Sequence, residues 1–373
     1  MRIGFITDSI SHQSAGVGRY AANVFHHLSR WSELMVPIDW RNPAAIKSLT
    51  NLESSDAISI PNPWPIGKKL FWHFFLLSAL ERHTKKIDIL FNCSQFLHPI
   101  GKMNCPHIYI VHDLSYFSYP EYHKKGKKTL FRLLLKNTLS KADHIVCVSH
   151  YTHKRLIHYY PEMVHQSSVI HEAADKRFRP IANTDILRQI RIKYGLPKMF
   201  YLFVGTIEPR KNLTQLLKVY HQYKKNIPYP LYVAGGTGWH IESLHKLHRN
   251  FDLKNDVKFI GYVPDEDLPL LYNLATAFIY ISKDEGFGLP PLEAMQCGTP
   301  VIVSDAGSLP EIAHKAAIVV NPNDQNAIAR ALQKIGEDKQ LRICLRDKGL
   351  ERAKEFSWEK SASELMSLFK TMV

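Results

Sequence analysis

Short runs of apolar, often β-branched residues recur along this chain. Between them lie longer stretches whose apolar positions repeat every three or four residues. Runs of the first kind fit buried strands and stretches of the second kind fit amphipathic helices, so their alternation predicts parallel α/β sheets. In the first half the strand pattern falls near 2–7, 34–38, 87–91, 107–111, 144–148 and 167–170. The helical pattern falls near 17–30, 68–83, 126–140 and 150–159.

The alternation lapses around 171–197, where His171-Glu172-Ala173-Ala174-Asp175 leads into a polar helix that stops at Gly195. A second series follows, with strands near 200–204, 230–234, 257–260, 277–281, 300–303 and 317–320. The predicted organisation is two Rossmann-like, doubly wound domains, residues 1–180 and 181–355, facing a cleft. A terminal amphipathic helix over 356–373 (Ala362, Leu365, Met366, Leu368, Phe369) completes the chain. Open α/β sheets bind ligands beyond the carboxyl ends of their strands. Residues just after strands therefore draw the eye: Gly16, His112, Arg210, Gly235 and Glu285.

Composition changes this picture only in part. The 373 residues exceed one ordinary core and suit two domains. Five scattered cysteines, with no C-x-x-C among them, read as reduced thiols and argue against structural zinc. The N-terminal residues look like a buried strand, not a signal peptide. The most apolar run, Leu70 to Leu80, is too short for a membrane span. Together these point to a cytoplasmic protein. Net charge is +14 and uneven: residues 1–180 hold 23 Lys+Arg and 13 Asp+Glu, the remainder 25 and 21. A basic first half points to an anionic partner. Nucleic acid is the less fitting one, because the cations lack interleaved stacking aromatics or a known module.

The sharpest local signal is Asp284-Glu285-Gly286-Phe287-Gly288-Leu289-Pro290-Pro291-Leu292-Glu293, directly after a predicted strand. Pro290 and Pro291 suit a first helical turn, and the glycines let backbone N–H groups approach an anion. Taken alone, two glutamates eight positions apart are also what a helix start favours. Gly205-Thr206-Ile207-Glu208-Pro209-Arg210-Lys211-Asn212 follows another strand, and its adjacent cations suit a nucleoside diphosphate. It reads equally as a solvated basic loop.

Gly16-Val17-Gly18 opens a helix but lies too far beyond its strand for a nicotinamide fingerprint, even with Asp39 near the expected ribose position. His112-Asp113 ends a strand, where an imidazole can bond a sugar hydroxyl or a backbone carbonyl near the reacting carbon; a lone histidine is as often structural. No further residues are spaced to make a metal site of it. Gly261-Tyr262-Val263 is a tight turn after a strand.

Taken together, Glu285-Gly-Phe-Gly…Glu293, Arg210-Lys211-Asn212, the Gly16-Val-Gly18 loop, His112-Asp113-Leu114 and Gly307-Ser-Leu-Pro-Glu311 resemble family 4 of the retaining glycosyltransferases, which have the GT-B fold. The match runs in order along nearly the whole chain. The resemblance implies that Glu285 and the backbone of Gly286, Phe287, Gly288 and Leu289 hold the donor sugar, and that Arg210 and Lys211 neutralise its diphosphate. Gly16, Gly18 and Gly205 approach that diphosphate. Glu293 takes the ribose, Gly261, Tyr262 and Val263 meet the base, and His112 lies beside the sugar.

The resemblance also implies retention of configuration without a metal or other cofactor, and a last helix that crosses back to the first domain. It is nearest the bacterial mannosyltransferase branch that uses GDP-mannose in cell-surface polysaccharide and lipopolysaccharide synthesis, with a saccharide or lipid-linked acceptor. UDP-sugar donors and GT-B epimerases or phosphorylases stay open. The family's asparagine-glycine-valine-aspartate turn is His171-Glu172-Ala173-Ala174-Asp175 here, which keeps the acid. Residues 123–136 carry six cations and no acid, which fits either peripheral contact with an anionic membrane or a solvated helix packed by its leucine face.

Overall fold

The computed structural model describes residues 1–6, 16–30, 34–39, 58–59, 87–93, 105–120, 127–236, 238 and 241–373. The helix expected at 68–83 and the segment before Gly16 lie outside the described residues, as do residues 123–126 and the side chain of Asp39.

Two compact units account for the described chain. The first comprises Met1–Glu172 with Ser357–Val373, the second Ala173–Phe356. The expected boundary at 180 falls eight residues later. Ala173 to Pro180 packs in the second unit, where the Phe178 ring meets Tyr272 at 5.8 Å and the Arg179 carbonyl accepts from Asn273.

The first unit holds a parallel sheet of seven described strands: β1 (Arg2–Ile6), β2 (Leu34–Asp39), β3 (Ile58–Ser59), β4 (Ile89–Asn92), β5 (His107–Val111), β6 (His144–Cys147) and β7 (Ser167–Val169). Their spatial order is 3-2-1-4-5-6-7. The two-residue β3 carries no alternation to announce it. Central strands of such a sheet are covered on both faces, so they read as unbroken apolar runs, and β4 and β5 are buried throughout.

The last helix, Trp358–Lys370, returns to this unit. Its buried stripe of Trp358, Ala362, Leu365, Met366 and Phe369 follows the helical period. Trp358 packs edge-on to Tyr20, Phe369 packs on Phe91, and the Ser361 hydroxyl donates to the His171 carbonyl at 2.6 Å.

The second unit holds β8 (Tyr201–Val204), β9 (Leu231–Ala234), β10 (Val257–Gly261), β11 (Ala277–Tyr280), β12 (Val301–Ser304) and β13 (Ala317–Val320). All pair in parallel, in the order 10-9-8-11-12-13. In both sheets strand order reverses beside the first strand of the unit, between β1 and β4 and between β8 and β11. That reversal opens a crevice at the strands' carboxyl ends, where α/β folds take their ligands.

Helices cover the second sheet as the pattern predicts. Leu213–Tyr223 buries Leu213, Leu216, Leu217 and Tyr220, and Gln325–Glu337 is capped by Asp324 accepting from Ala327 N–H. Cys93, Cys105, Cys147, Cys297 and Cys344 are all free thiols, as the dispersed spacing predicts. Among the described residues no helix is long and apolar enough to cross a membrane.

Candidate active site

The second unit concentrates its polar chemistry at the reversal point. The loop after β8 turns through a short 3-10 segment, Pro209–Lys211, and Asn212 adopts a left-handed backbone at φ 61°. The Asn212 amide donates to the carbonyls of Ile281 and Pro322 at 3.2 and 2.7 Å. Those bonds sew the β8 loop to the loops after β11 and β13. Arg210 and Lys211 are thereby fixed against the segment that carries Glu285.

The resulting cluster is an ion-pair network. Lys211 Nζ donates to Glu285 Oε1 at 2.7 Å and to the Tyr280 hydroxyl at 2.6 Å. Arg210 Nη1 donates to Glu285 Oε2 at 2.9 Å and to the Asp284 carbonyl at 2.6 Å, while its Nη2 reaches Glu208 at 2.8 Å. Glu208, Lys211 and Glu285 are all buried. Two cations and two carboxylates balance, the condition under which such charges tolerate a dry interior.

Burial works against ionising Glu285, but Arg210 and Lys211 outweigh it and hold the carboxyl at about 2. Burial, followed by Arg210 alongside, pulls the Lys211 ammonium below its ordinary value, against Glu285 and Glu208. Arg210 and Lys211 reach Glu285 itself as well as the space at the strand ends. They are its direct counter-ions, because β8 and β11 are neighbours in the sheet. Each Nζ has three donors, and Lys211 gives two of them to protein partners.

Glu285 is braced from behind. Ser308 N–H and Oγ both donate to its carbonyl at 3.1 Å. Gly307, at φ 65°, lies so close that a Cβ there would sit 2.5 Å from Glu285 N. Gly288, at φ 107°, caps the helix Leu289–Gln296, and Pro290 and Pro291 fill its first turn as predicted. Phe287 is buried and meets Phe356 edge-on. Glu293, five residues into the helix from its cap, is buried and accepts from the Tyr272 hydroxyl at 3.0 Å.

The other predicted positions form a glycine row along the adjoining strand ends. Gly205 N–H donates to the Ala234 carbonyl and Gly235 N–H to the Gly261 carbonyl, at 3.0 and 2.7 Å. Gly261 has φ 74° beside a shift in strand register, Tyr262 is 55% exposed and Val263 is buried.

Gly16, Gly18 and His112 belong to the first unit. Gly16 opens the helix Gly16–Leu28 with none of the described residues within 4 Å of where a Cβ would be, and Gly18 is buried in that helix. His112 lies just past β5, and both of its ring nitrogens have protein partners, one of them a backbone carbonyl. Its Nε2 lies 2.8 Å from the Cys93 carbonyl and its Nδ1 3.2 Å from Glu172 Oε1. Glu208, Tyr280, Ser308 and Glu172 are the participants that motif reading missed. Glu208, Ser308 and Glu172 each stood inside a quoted segment, but nothing local marked their partners.

With this geometry in place, comparison with known proteins is informative. Residues 14–178 match the family model of Glycosyltransferase Family 4, and residues 188–352 that of Glycosyl transferases group 1. The chain is 30% identical to O-antigen chain mannosyltransferase B of Escherichia coli, over the full length of both. It is 31% identical to O-antigen chain mannosyltransferase RfbU of Salmonella typhimurium across 60% of this chain and 59% of that one. Among solved structures, sucrose-phosphate synthase from Thermosynechococcus elongatus aligns with TM-score 0.80 at 22% identity, covering 100% of this chain and 98% of the other. At that identity the likeness speaks for the fold alone.

Proposed function

Since this chain belongs to the family 4 glycosyltransferases, and is a hexosyltransferase of GT-B fold, we propose that it moves mannose from GDP-mannose to a saccharide or lipid-linked saccharide. The product has retained configuration and serves O-antigen or lipopolysaccharide synthesis. Support for the sugar comes from the two relatives, both O-antigen chain mannosyltransferases.

The observation that carries the chemistry is Glu285 held between Arg210 and Lys211 at the sheet's reversal point. In this reading Glu285 and the 286–289 backbone grip the sugar, Glu293 the ribose, and Gly261, Tyr262 and Val263 the base. The glycosyl C1–O bond to the diphosphate breaks, and the acceptor oxygen bonds C1 on the same face. Its proton passes to the departing phosphate. Arg210 and Lys211 stabilise the charge that develops there, with Gly205 lining the approach, so no metal is required. Gly16 and Gly18 approach the phosphates in the same reading. His112 enters it through its backbone and its packing, because both ring nitrogens already have protein partners.

A melting-temperature panel with GDP, UDP, ADP and their sugars, run in chelator, tests the donor. A ligand that binds only the folded state stabilises by RT ln(1 + [L]/Kd), about 2.7 kcal/mol at a hundredfold excess over Kd. GDP and GDP-mannose are expected to raise the melting temperature by several degrees and UDP compounds not to. The reverse order assigns a UDP-sugar donor, and dependence on added metal overturns the metal-free reading.

The reading extends to a cytoplasmic location with peripheral contact at an anionic leaflet through residues 123–136. On the helix Lys127–Leu139, Leu135 and Leu139 pack inward with Phe131 and Leu134, whereas Thr129, Lys136 and the 67% exposed Leu133 face out. The neighbouring helix His150–Tyr159 also carries no acid. Co-sedimentation with phosphatidylserine vesicles at low salt, lost at high salt, is the expected outcome. Failure to sediment at low salt removes the membrane contact.

A further inference from the structure

The His112 ring lies at the meeting point of four segments of the first unit. Its Nε2 faces the Cys93 carbonyl just beyond β4, and its Nδ1 faces Glu172, the last residue of the unit, just beyond β7. The Tyr20 ring, from the helix Gly16–Leu28, packs against it edge-to-face at 4.8 Å, and Tyr20 in turn meets Trp358 of the terminal helix. His112 and Glu172 are both buried.

Hydrogen-bond valence settles where the protons sit. A carbonyl oxygen only accepts, so the 2.8 Å contact requires a hydrogen on Nε2. A neutral ring would then turn the Nδ1 lone pair toward a carboxylate oxygen, two acceptors face to face. A further proton must occupy the His112–Glu172 contact. With that proton on Nδ1 the contact becomes a charge-assisted N–H···O bond from imidazolium to carboxylate, the stronger of the two arrangements. Among the described residues, Tyr20 and Cys93 are the titratable neighbours named by these contacts. Burial, then Cys93 and Glu172, push the Tyr20 phenol well above its ordinary value, and the Cys93 thiol donates to the Ile6 carbonyl.

We propose that Glu172 is a positioning residue for transfer, holding His112 as a doubly protonated ring that staples the carboxyl ends of β4, β5 and β7. This inference rests on the glycosyl-transfer reading for its kinetic consequence, but not for its protonation. Glu172 occupies the turn where the family pattern carries an amide and a glycine. Its carboxylate thus supplies the counter-charge for a histidine 60 positions earlier.

The test is Glu172→Gln, which keeps the volume and a hydrogen-bonding head but removes the charge. Long-range proton–nitrogen spectra of histidine-labelled protein at pH 7, with His112 identified by signal loss in His112→Asn, read the ring directly. Wild type is expected to show both His112 nitrogens protonated. In Glu172→Gln the Nδ1 signal is expected to move to the unprotonated range while Nε2 stays. Transfer is expected to lose at least tenfold in kcat with little change in donor KM, and Glu172→Asp to recover part of it.

An unprotonated Nδ1 in wild type, or an unchanged ring in Glu172→Gln, overturns the protonation. A full kcat in Glu172→Gln overturns the positioning role. If wild type itself transfers no sugar, the proposed function falls, and the nitrogen spectra still decide the pair.

Discussion

Glu285→Ala is expected to lower sugar transfer about 10³-fold and to lower unfolding stability by about 3–5 kcal/mol, the usual cost of breaking a buried ion pair from one side. The loss follows from what remains. Lys211 is buried and would keep Glu208 as its nearest opposite charge, with Arg210 pressing on it from the same side. Glu285→Gln separates folding from chemistry. It retains an acceptor for Lys211 and Arg210, so the protein is expected to fold while transfer stays severely reduced. Near-normal turnover in both variants removes Glu285 from the reacting centre.

The same residue predicts a pH dependence of stability. Glu285 titrates at about 2 in the folded protein against an ordinary value of 4.5. A depressed carboxyl pKa stabilises the fold above the unfolded value and ceases to do so as pH falls toward the folded value. The difference of about 2.5 units corresponds to about 3 kcal/mol, present above pH 5 and lost progressively between about pH 4.5 and 2. Urea unfolding of wild type and Glu285→Gln across pH 6 to 3 measures it. The gap between the two is expected to narrow below pH 4.5, and a gap of constant size contradicts the pairing.

Gly235→Ala is expected to destabilise the fold about as much, by backbone overlap and not by lost charge. At φ 151° the backbone is one that side chains rarely adopt, and the added Cβ would lie 1.9 Å from the Gly205 carbonyl oxygen and 2.7 Å from its carbon. Neither side can withdraw easily, since Gly205 is bonded to Ala234 and Gly235 to Gly261. Backbone strain of roughly 1–3 kcal/mol and overlap of similar size together come to about 4 kcal/mol. For a unit of this size that lowers the melting temperature by roughly 8–16 °C. Gly236→Ala is the control, because nothing lies within 4 Å of its added Cβ. A Gly235→Ala protein that melts with wild type would mean that the strand ends are not locked together as described.

Much of this was legible beforehand because its causes are local. Runs such as Phe278 to Ile281 are apolar without interruption because their strand is covered on both faces. The stop after Ile281 followed by glycines and two prolines marks a loop and a helix start wherever the chain goes next. The family signature is made of such local units, so it pointed to the fold and to Glu285, Arg210, Lys211 and the glycine turns. Periodicity also placed the terminal helix's apolar stripe, but not the surface it covers.

What the amino-acid order determined on its own is therefore the alternation of strands and helices, the loop chemistry at strand ends and the membership those motifs carry. The tertiary structure decided the pairings. Lys211 and Glu285 are 74 positions apart, His112 and Cys93 are 19, and His112 and Glu172 are 60. Sheet order brings each pair together, and burial then makes the contact consequential by removing the water that would have screened it. The physical reason is one of range: backbone preference and hydrophobic period act over a few residues, whereas charge compensation depends on which strands become neighbours and how dry the space between them is.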